Sequence, residues 1–335
     1  PAFIANRIGV FGMMAIMKIM EKLQLSIDEI DALTGPLAGR PKSATFRTAD
    51  VVGIDTLIKV AKGVYDNCPN DEAKDIFNIP AWLNKMVENN WLGDKTGQGF
   101  FKKVKTPEGK SDIQVLNLQT MEYTARQRPK FATLEAAKPI EDLPARLKIL
   151  INGTDKAGEF YRQFHYSLFS YISHRIPEIS DEVYRLDDAM MAGFGWEIGA
   201  FESWDASGVA KTTEAMKAAG FTVAKWVDDM LAAGHNTFYK VENGKRLYYD
   251  VAGKTYKNLP GGDTFLVMKY FTNQTIWKNS SSRVYHLGDD VLGLEWNTKM
   301  NSIGGEVLES IQKGISLAEE KYKGLVIANE SANFS

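Results

Sequence analysis

Four polar residues near the start of the chain are the best candidates for contacting an anionic ligand. Asn6-Arg7 lie in a dense apolar segment, and Lys42-Ser43 lie in a short polar loop. A lysine beside a serine offers a positive charge and a hydroxyl, which are groups that bind phosphate oxygens. From the residues alone, a solvated loop and a helix cap remain the simpler interpretation.

The other residue types that carry catalysis form no complete motif. Thr96-Gly97-Gln98-Gly99 looks like part of a phosphate-binding turn, but it precedes a predicted strand, whereas nucleotide-binding glycines follow a strand and open a helix. No complete GxGxxG or GxxxxGKS/T occurs in the chain. No histidine has a carboxylate or nucleophile at a telling spacing; the four are His165, His174, His235 and His286. We therefore predict that His165 is a packed core residue and that Cys68, which has no apparent base, is unreactive.

Composition excludes several classes of function. The chain has 335 residues with 40 Lys+Arg and 42 Asp+Glu, and its net charge of −2 gives no electrostatic case for nucleic acid or a membrane surface. A single Cys cannot form an internal disulfide, which indicates a reducing compartment, and four scattered His leave no credible metal site. The longest apolar run, Ile8 to Met20, contains Lys18 and is too short to span a membrane, so we predict a buried helix. The chain begins at Pro1 and ends on Asn-Phe-Ser, and we expect it to be an internal piece of a longer protein.

Local signals predict helices that would position the polar candidates. Residues 1–24 have the pattern of a long core helix, and Ser26 with Glu29 forms a capping box that predicts a helix starting at Ile27. Further helices are predicted over residues 55–67 and 80–87. The adjacent acidic pairs are predicted to be solvated turns or caps, because neighbouring residues do not converge on one point; these are Asp187-Asp188 and Asp289-Asp290.

The second half of the chain repeats patterns of the first. Three segment pairs match in the same order: 45–53 with 200–208, 79–87 with 223–231, and 99–110 with 237–245. Trp-x-x-x-Met and Phe-x-x-x-Asp-x-x-Gly are not generic helix patterns, so two copies of one helical unit are predicted. Convergent amphipathic patterning is the alternative. The chain then divides into a first helical domain (1–105), a connector (106–146), a second, degenerate helical repeat (147–257), a linker (258–282) and a truncated β-β-α-β unit (283–335).

The segment PAFIANRIG (1–9) resembles the start of the C-terminal helical domain of 3-hydroxyacyl-CoA dehydrogenases. The resemblance continues through residues 39–56 and 94–101, and residues 200–209 are similar to a second copy of that domain. Residues 298–304 and 324–335 resemble the opening of an enoyl-CoA hydratase (crotonase) domain. The resemblance implies a mainly α fold with two tandem helical dehydrogenase domains and an incomplete α/β crotonase-like unit.

The resemblance also implies roles for individual residues. In the family, the Asn that matches Asn6 faces the substrate beside the catalytic His, so Asn6 would bind substrate or position that His, while Arg7 would be structural. Lys42 and Ser43 fall where the family's loop approaches the acyl-CoA, and backbone N–H groups around Met300-Asn301 match a segment that lines the coenzyme A site. NAD, the catalytic His–Glu pair and the hydratase glutamates would belong to segments outside this sequence, and no metal is implied.

The implied parent is a cytoplasmic bifunctional enzyme of fatty-acid β-oxidation that oxidises 3-hydroxyacyl-CoA with NAD and hydrates enoyl-CoA. We expect this chain alone to be inactive in both reactions, and we expect a homo-oligomer or a thiolase as possible partners. The alternative is a non-catalytic helical assembly module. Because single-copy family members pair two helical domains across a two-fold interface, we predict that residues 1–105 and 150–250 pack face to face through apolar helices.

Overall fold

The computed structural model describes residues 2–107, 109–262 and 264–329. Within them the chain forms two compact units, one of residues 1–238 with 251–254 and the other of residues 239–250 with 255–335. Helices make up 51% of the described residues, which also contain three small sheets. The fold therefore contains more strand than the predicted mainly α class implies.

The first unit is built mostly of helices. In its described part they are α1 (Ile4–Leu23), α2 (Ile27–Leu33), α3 (Phe46–Val52), α4 (Ile54–Asn67), α5 (Ala81–Glu88), α6 (Ala132–Ala137), α7 (Leu143–Ile151), α8 (Lys156–His174), α9 (Val183–Phe194), α10 (Ala200–Ser207), α11 (Val209–Ala218) and α12 (Lys225–Ala232). An antiparallel sheet of order β1-β2-β3 lies between α5 and α6; its strands are β1 (Phe101–Lys105), β2 (Ser111–Asn117) and β3 (Glu122–Ala125).

The first two helices begin and end as local chemistry dictates. Helix α1 ends at Gln24, which adopts a left-handed conformation with φ of 50°. Two residues later the predicted capping box is present: Ser26 Oγ accepts from the Glu29 N–H at 3.2 Å, and Glu29 Oε2 accepts from the Ser26 N–H at 2.7 Å. These bonds satisfy N–H groups that have no partner inside α2. The prediction that a helix starts at Ile27 is confirmed.

Helices α1 and α8 pack against each other in the core of the first unit. Phe11 and Tyr171 stack with ring centroids 3.7 Å apart and planes 1° apart. Gly12 of α1 lies under the Phe164 ring, and a methyl group added at Gly9 would lie 2.0 Å from Phe194 at the end of α9. The two glycines therefore permit close approach of α1 to both helices. Apolar contact between the first and second halves of the unit, which the sequence predicts, is present.

A buried ionic cluster ties α1 to the end of α8. Arg7 is 1% exposed and donates to the Tyr171 hydroxyl at 2.6 Å, to Cys68 Sγ at 2.8 Å and to Asp71 Oδ2 at 2.7 Å. Arg175 approaches the same Asp71 oxygen at 3.0 Å. Burial works against the charge of Arg7, but the hydrogen bonds that Arg7 donates to Tyr171 and Asp71, with the charge of Glu178, outweigh it and raise the Arg7 pKa above its ordinary value. Arg7 is therefore structural, as the resemblance implied.

Aspartates cap two corresponding helices. Asp31 Oδ1 accepts from the Phe46 N–H at 2.7 Å at the start of α3. Asp187 Oδ1 accepts from the Phe201 N–H at 2.8 Å at the start of α10. Asp187 is 1% exposed. The sequence analysis predicted either a helix cap or a solvated turn at this position; the cap is confirmed and the solvated turn is wrong. A carboxylate at this position satisfies N–H groups that the helix itself cannot bond.

Each of these two helices, α3 and α10, contributes a Phe to a similar aromatic cluster. Phe100 packs against Phe46 at 4.5 Å and Trp82 at 6.0 Å between ring centroids. Phe238 packs against Phe201 at 4.8 Å and Trp226 at 5.8 Å. An aspartate binds the backbone of each central Phe: Asp50 accepts from the Phe100 N–H at 2.8 Å, and Asp205 accepts from the Phe238 N–H at 2.7 Å.

Residues 106–146, predicted to be a connector, contain regular structure. They form β2, β3, α6 and the start of α7. The prolines that suggested a connector stand between elements: Pro107 follows β1, Pro129 separates β3 from α6, and Pro139 separates α6 from α7. Pro144 occupies the first turn of α7, where proline has no N–H bond to lose. The prolines therefore delimit elements rather than prevent them.

The second unit contains two sheets and a helix. One sheet has the order β4-β5-β6 and the other the order β10-β9-β8-β7. Their elements are β4 (Tyr239–Glu242), β5 (Lys245–Asp250), β6 (Thr255–Asn258), β7 (Thr275–Lys278), β8 (Ser282–Gly288), β9 (Val291–Trp296), α13 (Gly305–Lys321) and β10 (Gly324–Ile327). A 3-10 segment, Met268–Gln274, and β7 lie within residues 258–282, which were predicted to be a linker.

The predicted β-β-α-β order is found in β8, β9, α13 and β10. Strands β8 and β9 form the expected antiparallel hairpin around Asp289-Asp290, and β10 pairs in parallel with β9. Val284, Leu292, Leu294 and Trp296 pack with Val307 of α13 into a buried cluster. The end of the predicted unit, residues 330–335, lies outside the described residues.

Replacing Arg7 with Met tests the ionic cluster. The substitution keeps an apolar stem but leaves Asp71 buried without one of its counter-ions, so we expect the free energy of unfolding to fall by about 3–5 kcal/mol. Urea denaturation followed by circular dichroism measures it. Lys62→Ala removes the exposed Lys62–Asp66 pair and should cost about 0.5 kcal/mol or less. Equal losses in the two variants would contradict the role of the cluster.

Replacing Asp50 with Asn tests the buried carboxyl at the start of β1. Burial raises the pKa of Asp50 to about 6, although the N–H groups of Phe100 and Phe101 oppose the shift. This pKa exceeds the pKa of about 4 expected for an aspartate in the unfolded chain, so the folded state binds the proton more tightly. The free energy of unfolding therefore falls as pH rises from about 4 to about 6. Asp50→Asn cannot titrate and should lose that slope, although it is less stable throughout. Parallel pH slopes in urea denaturation would contradict the assignment.

Candidate functional site

Asn6 lies in the first turn of α1 with its side chain partly exposed. Its amide makes no hydrogen bond within the described part of the chain, so both its donor and its acceptor are available to a ligand. Gly9 and Met13 lie three and seven residues further along, on the same face of the helix. Asn6, Gly9 and Met13 therefore share one face of α1, and Asn6 is the closest of the three to the N-terminus of the helix.

A narrow cavity of about 40 Å³ lies between this face of α1 and the loop of residues 40–45 with the first turn of α3. Gly9, Gly12 and Met13 line it from α1, Pro41 lines it from the loop and Thr48 lines it from α3. The Ser43 hydroxyl lies 2.8 Å from the Thr48 hydroxyl. Ser43 is therefore held beside the α1 side of the loop.

Lys42 faces a different space. It is exposed and lines an open groove of about 640 Å³ on the other side of the loop, together with Arg47. The structure thus places Asn6 on α1 and places Lys42 and Ser43 in one loop, and none of the three lines the cavity beside α1. These three predicted residues do not form one pocket.

Arg40, which sequence reasoning passed over, is the most unusual polar residue beside the α1 cavity. Its guanidinium lies 4.5 Å from the centre of the Phe164 ring and 4.3 Å from that of Trp196. It has no ion pair or hydrogen bond within the described residues. Burial lowers the pKa of Arg40 to about 10. Cation–π contact with two rings holds this charge in place. In the sequence, the only signal for Arg40 was its position two residues before Lys42.

Basic residues of the large groove were also missed. Lys103, Arg126 and Arg128 line it with Arg47. They come from the runs KKVK (102–105) and RQRPK (126–130), which are the available sequence signal. That signal was weak because the second run lay in the presumed connector.

Met300 and Asn301, the remaining predicted site residues, lie in the second unit between β9 and α13. Both have left-handed backbone conformations, with φ of 57° and 53°. The Asn301 N–H donates to the Thr298 carbonyl at 2.9 Å, and the Asn301 carbonyl accepts from Trp296 Nε1 at 3.1 Å. Asn301 is buried and Met300 is exposed. The Asn301 N–H is thus occupied, and it cannot serve a ligand in this conformation.

The residues for which the sequence predicted no catalytic role have structural roles. His165 is buried in α8 beside the Tyr161 carbonyl at 2.8 Å, and burial, followed by the charge of Arg40, lowers the His165 pKa to about 3. The predicted core position of His165 is confirmed. Thr96 to Gly99 form the turn that leads into β1.

Two classes of feature are absent from the described residues. No group of three or more His, Cys, Asp or Glu side chains in them could hold a metal ion. Across residues 2–107, 109–262 and 264–329, every helix is too short or too polar to cross a membrane.

Comparison with known proteins identifies relatives of the chain. Residues 3–103 match the family described as "3-hydroxyacyl-CoA dehydrogenase, C-terminal domain". Over its whole length the chain is 42% identical to the "Probable 3-hydroxyacyl-CoA dehydrogenase" of Bacillus subtilis (strain 168) and covers 42% of that protein. It is 24% identical, again end to end, to the "Putative fatty acid oxidation complex trifunctional enzyme" of Rickettsia prowazekii (strain Madrid E), and covers 42% of it.

Another relative matches the chain over a shorter span. Over 103 residues, 30% of this chain, the identity to the "Hydroxyacyl-coenzyme A dehydrogenase, mitochondrial" of Homo sapiens is 35%, and 31% of that protein is covered. The chain is therefore homologous to 3-hydroxyacyl-CoA dehydrogenases and carries their C-terminal domain over residues 3–103. It spans less than half of the length of the curated relatives that it matches end to end.

Replacing Arg40 with Met tests whether its charge has a partner inside the chain. The methionine retains apolar packing between the two rings, and no buried counter-ion is left unpaired. We therefore expect the free energy of unfolding in urea to change by less than about 1 kcal/mol. A loss as large as that of Arg7→Met would mean that the Arg40 guanidinium has an ionic partner in the folded chain.

Proposed function

From its homology to 3-hydroxyacyl-CoA dehydrogenases, we propose that the chain supplies the substrate-facing helical domain of such an enzyme. The reaction is the oxidation of a 3-hydroxyacyl-CoA to the 3-oxoacyl-CoA, with NAD as the hydride acceptor. The parent is a bifunctional enzyme of fatty-acid β-oxidation that also hydrates enoyl-CoA. Its activity as a whole depends on parts other than this chain.

The availability of the Asn6 amide is the observation that carries this proposal. The Asn6 side chain is partly exposed and has an unused donor and an unused acceptor. Because the next residue, Arg7, is fixed in the core, Asn6 is suited to orient a bound molecule. Its carbonyl oxygen accepts from the substrate hydroxyl and its NH₂ donates to an acceptor on the substrate or on the catalytic base. Either bond positions the reacting carbon, so Asn6 is a positioning residue.

The described residues do not fit NAD. Strands β9 and β10 form a parallel pair around α13, but the segment between β9 and α13 reads NTKMNSIG and lacks the glycine spacing of dinucleotide-binding turns. We therefore assign the nicotinamide cofactor and the catalytic acid–base pair to other segments of the enzyme. In consequence we expect this chain by itself to be inactive.

The recurring aspartate–aromatic contacts support a tandem arrangement of two helical domains. Asp50 with Phe100 and Asp205 with Phe238 make equivalent bonds, and the two predicted repeats pack through α1 and α8. In this proposal the second copy takes the place of a dimer partner. An isologous interface requires self-complementary surfaces, which two copies in one chain can satisfy internally.

The hydratase part of the proposal has separate support. The order of β8, β9, α13 and β10 is the one expected at the start of a crotonase domain, and the end-to-end relative from Rickettsia prowazekii is named as a trifunctional enzyme of fatty acid oxidation. Met300, exposed and left-handed at the turn before α13, remains the candidate contact to coenzyme A in this segment.

A non-catalytic assembly module is the second candidate function. Val51 and Val52, at the end of α3, are 59% and 54% exposed, which is unusual for two adjacent large apolar residues in an otherwise well-packed unit. A module of this kind would bind protein through such residues and would not bind acyl-CoA.

Calorimetric titration with acetoacetyl-CoA tests the proposal against this alternative. We expect the chain to bind the ligand and Asn6→Ala to weaken binding about tenfold, because one hydrogen bond to the ligand is lost. Lys42→Ala should weaken it less, because an exposed charge contributes less than a buried bond. The matched control is Asn67→Ala, at the exposed end of α4, which should leave the affinity unchanged.

Two outcomes would contradict the proposal. Absence of acetoacetyl-CoA binding, together with reversible self-association in sedimentation, would favour the assembly module. Reduction of NAD by the isolated chain with 3-hydroxybutyryl-CoA would show that the chain contains the catalytic groups that we assign elsewhere.

A further inference from the structure

The narrow cavity beside α1 is small, but it is large enough for a ligand of a few atoms. Its volume of about 40 Å³ is far below the roughly 300–1,000 Å³ typical of sites for larger molecules. It exceeds the roughly 10–15 Å³ that one water molecule needs. Asn6, Lys42 and Ser43 do not line it. The cavity therefore suits an occupant of about three heavy atoms, apart from the residues on which the proposed function rests.

Arg40 brings a positive charge to this cavity. It lines the cavity together with Trp196, and its guanidinium lies 4.3 Å from the centre of the Trp196 ring and 4.5 Å from that of Phe164. Burial lowers the pKa of Arg40 to about 10, which leaves the group charged at neutral pH. The two rings attract the charge, but they offer no lone pairs to the N–H donors of the guanidinium.

The chain supplies no counter-charge for this guanidinium. Arg40 has no ion pair or hydrogen bond within the described residues, and none of the described residues that line the cavity is acidic. Arg7, in the same unit, is paired with Asp71 at 2.7 Å. Because a desolvated charge is costly unless it is paired, Arg40 needs a partner like the one that Asp71 provides for Arg7.

The threonine hydroxyls of the cavity already donate to partners in the chain. Thr34 donates to the Ile30 carbonyl at 2.9 Å. Thr45 donates to the Thr34 hydroxyl at 2.8 Å, and Thr48 donates to the Ala44 carbonyl at 2.6 Å. Each hydroxyl has one hydrogen, so these three groups have none left for an occupant. The free donors of the cavity are those of the guanidinium, and they favour an occupant that only accepts hydrogen bonds.

A carboxylate meets these requirements of charge and shape. Its two oxygens lie in one plane and match the fork of guanidinium N–H groups, so the two groups can form parallel hydrogen bonds. Formate, with one carbon and two oxygens, also has the size that the cavity allows. The space beside Gly12 is open, because a methyl group added there would come no closer than 3.8 Å to the Phe164 ring.

We propose that the cavity beside α1 binds a small free carboxylate anion, with the Arg40 guanidinium as its hydrogen-bond and charge partner. The anion neutralises Arg40 as Asp71 neutralises Arg7. It occupies the space between α1, the loop of residues 40–45 and Trp196, so its binding stabilises the folded unit by mass action. This inference goes beyond the proposed function, because the dehydrogenase reaction does not use the anion.

Broadening of the carbon-13 resonance of labelled formate by the full chain measures this binding. We expect saturable binding with a dissociation constant in the millimolar range, because so small an ion makes few contacts. Arg40→Met should weaken it about tenfold or more, because the charged donors are lost. Arg128→Met removes an exposed arginine that does not line the cavity and should alter the affinity less than twofold. Equal affinities of the Arg40→Met variant and the unmodified chain would overturn the proposal.

A second variant tests the cavity while it keeps the charge. Gly12→Ala adds a methyl group that makes only ordinary contact with Phe164, so we expect the chain to fold as before, and circular dichroism checks this. The methyl group takes up part of the small cavity and should weaken formate binding about threefold or more. An unchanged affinity would place the anion outside the cavity and would contradict the proposed site.

Competing anions test the class of ligand. At equal ionic strength, chloride should displace formate less well, because a single atom cannot pair with the guanidinium fork through two oxygens. Butyrate should also compete poorly, because its chain exceeds the cavity. Equal competition by chloride would overturn the carboxylate assignment, and equal competition by butyrate would overturn the confinement to the cavity. Either failure leaves the proposed function standing, because that function is tested by Asn6→Ala and acetoacetyl-CoA.

Discussion

Asp71 accepts from Arg7 of α1 and faces Arg175 at the end of α8, in a space that excludes water. Parting the two helices would leave buried charges without partners, which costs several kcal/mol, so the rotation of α1 about its own axis is fixed. Successive helical residues lie about 100° apart around the axis. With Arg7 directed into the core, Asn6 is directed to a partly exposed face. The ionic cluster thus decides which polar side chain α1 leaves partly exposed.

The loop of residues 40–45 is the second constraint, because it is held at both of its ends. At its start, Arg40 lies between the rings of Phe164 and Trp196. At its end, Asp31 accepts the N–H groups that begin α3. A loop fixed in this way separates the cavity beside α1 from the basic groove.

Local signals predicted the elements that depend on neighbours in sequence. The capping box of Ser26 and Glu29, the helix that follows Pro80 and the hairpin at Asp289-Asp290 are all present, because each depends on bonds or conformations within a few residues. Strand β3 was missed, whereas β2 lies where a short strand over residues 113–118 was considered. A strand's stability comes from its partner and from the face that it buries, and the prolines around β2 and β3 were interpreted without either.

The sequence by itself determined which residues could do chemistry, where most helices begin, and which family the first hundred residues resemble. Only the tertiary structure decided how those residues are used. Asp28 meets Arg126 across 98 positions, and Arg7 meets Tyr171 across 164. Such contacts follow from how helices and sheets pack, which no short-range rule specifies. For that reason the sequence indicated Asn6, Lys42 and Ser43 as one group, whereas packing placed Lys42 on a separate basic groove with residues from the presumed connector.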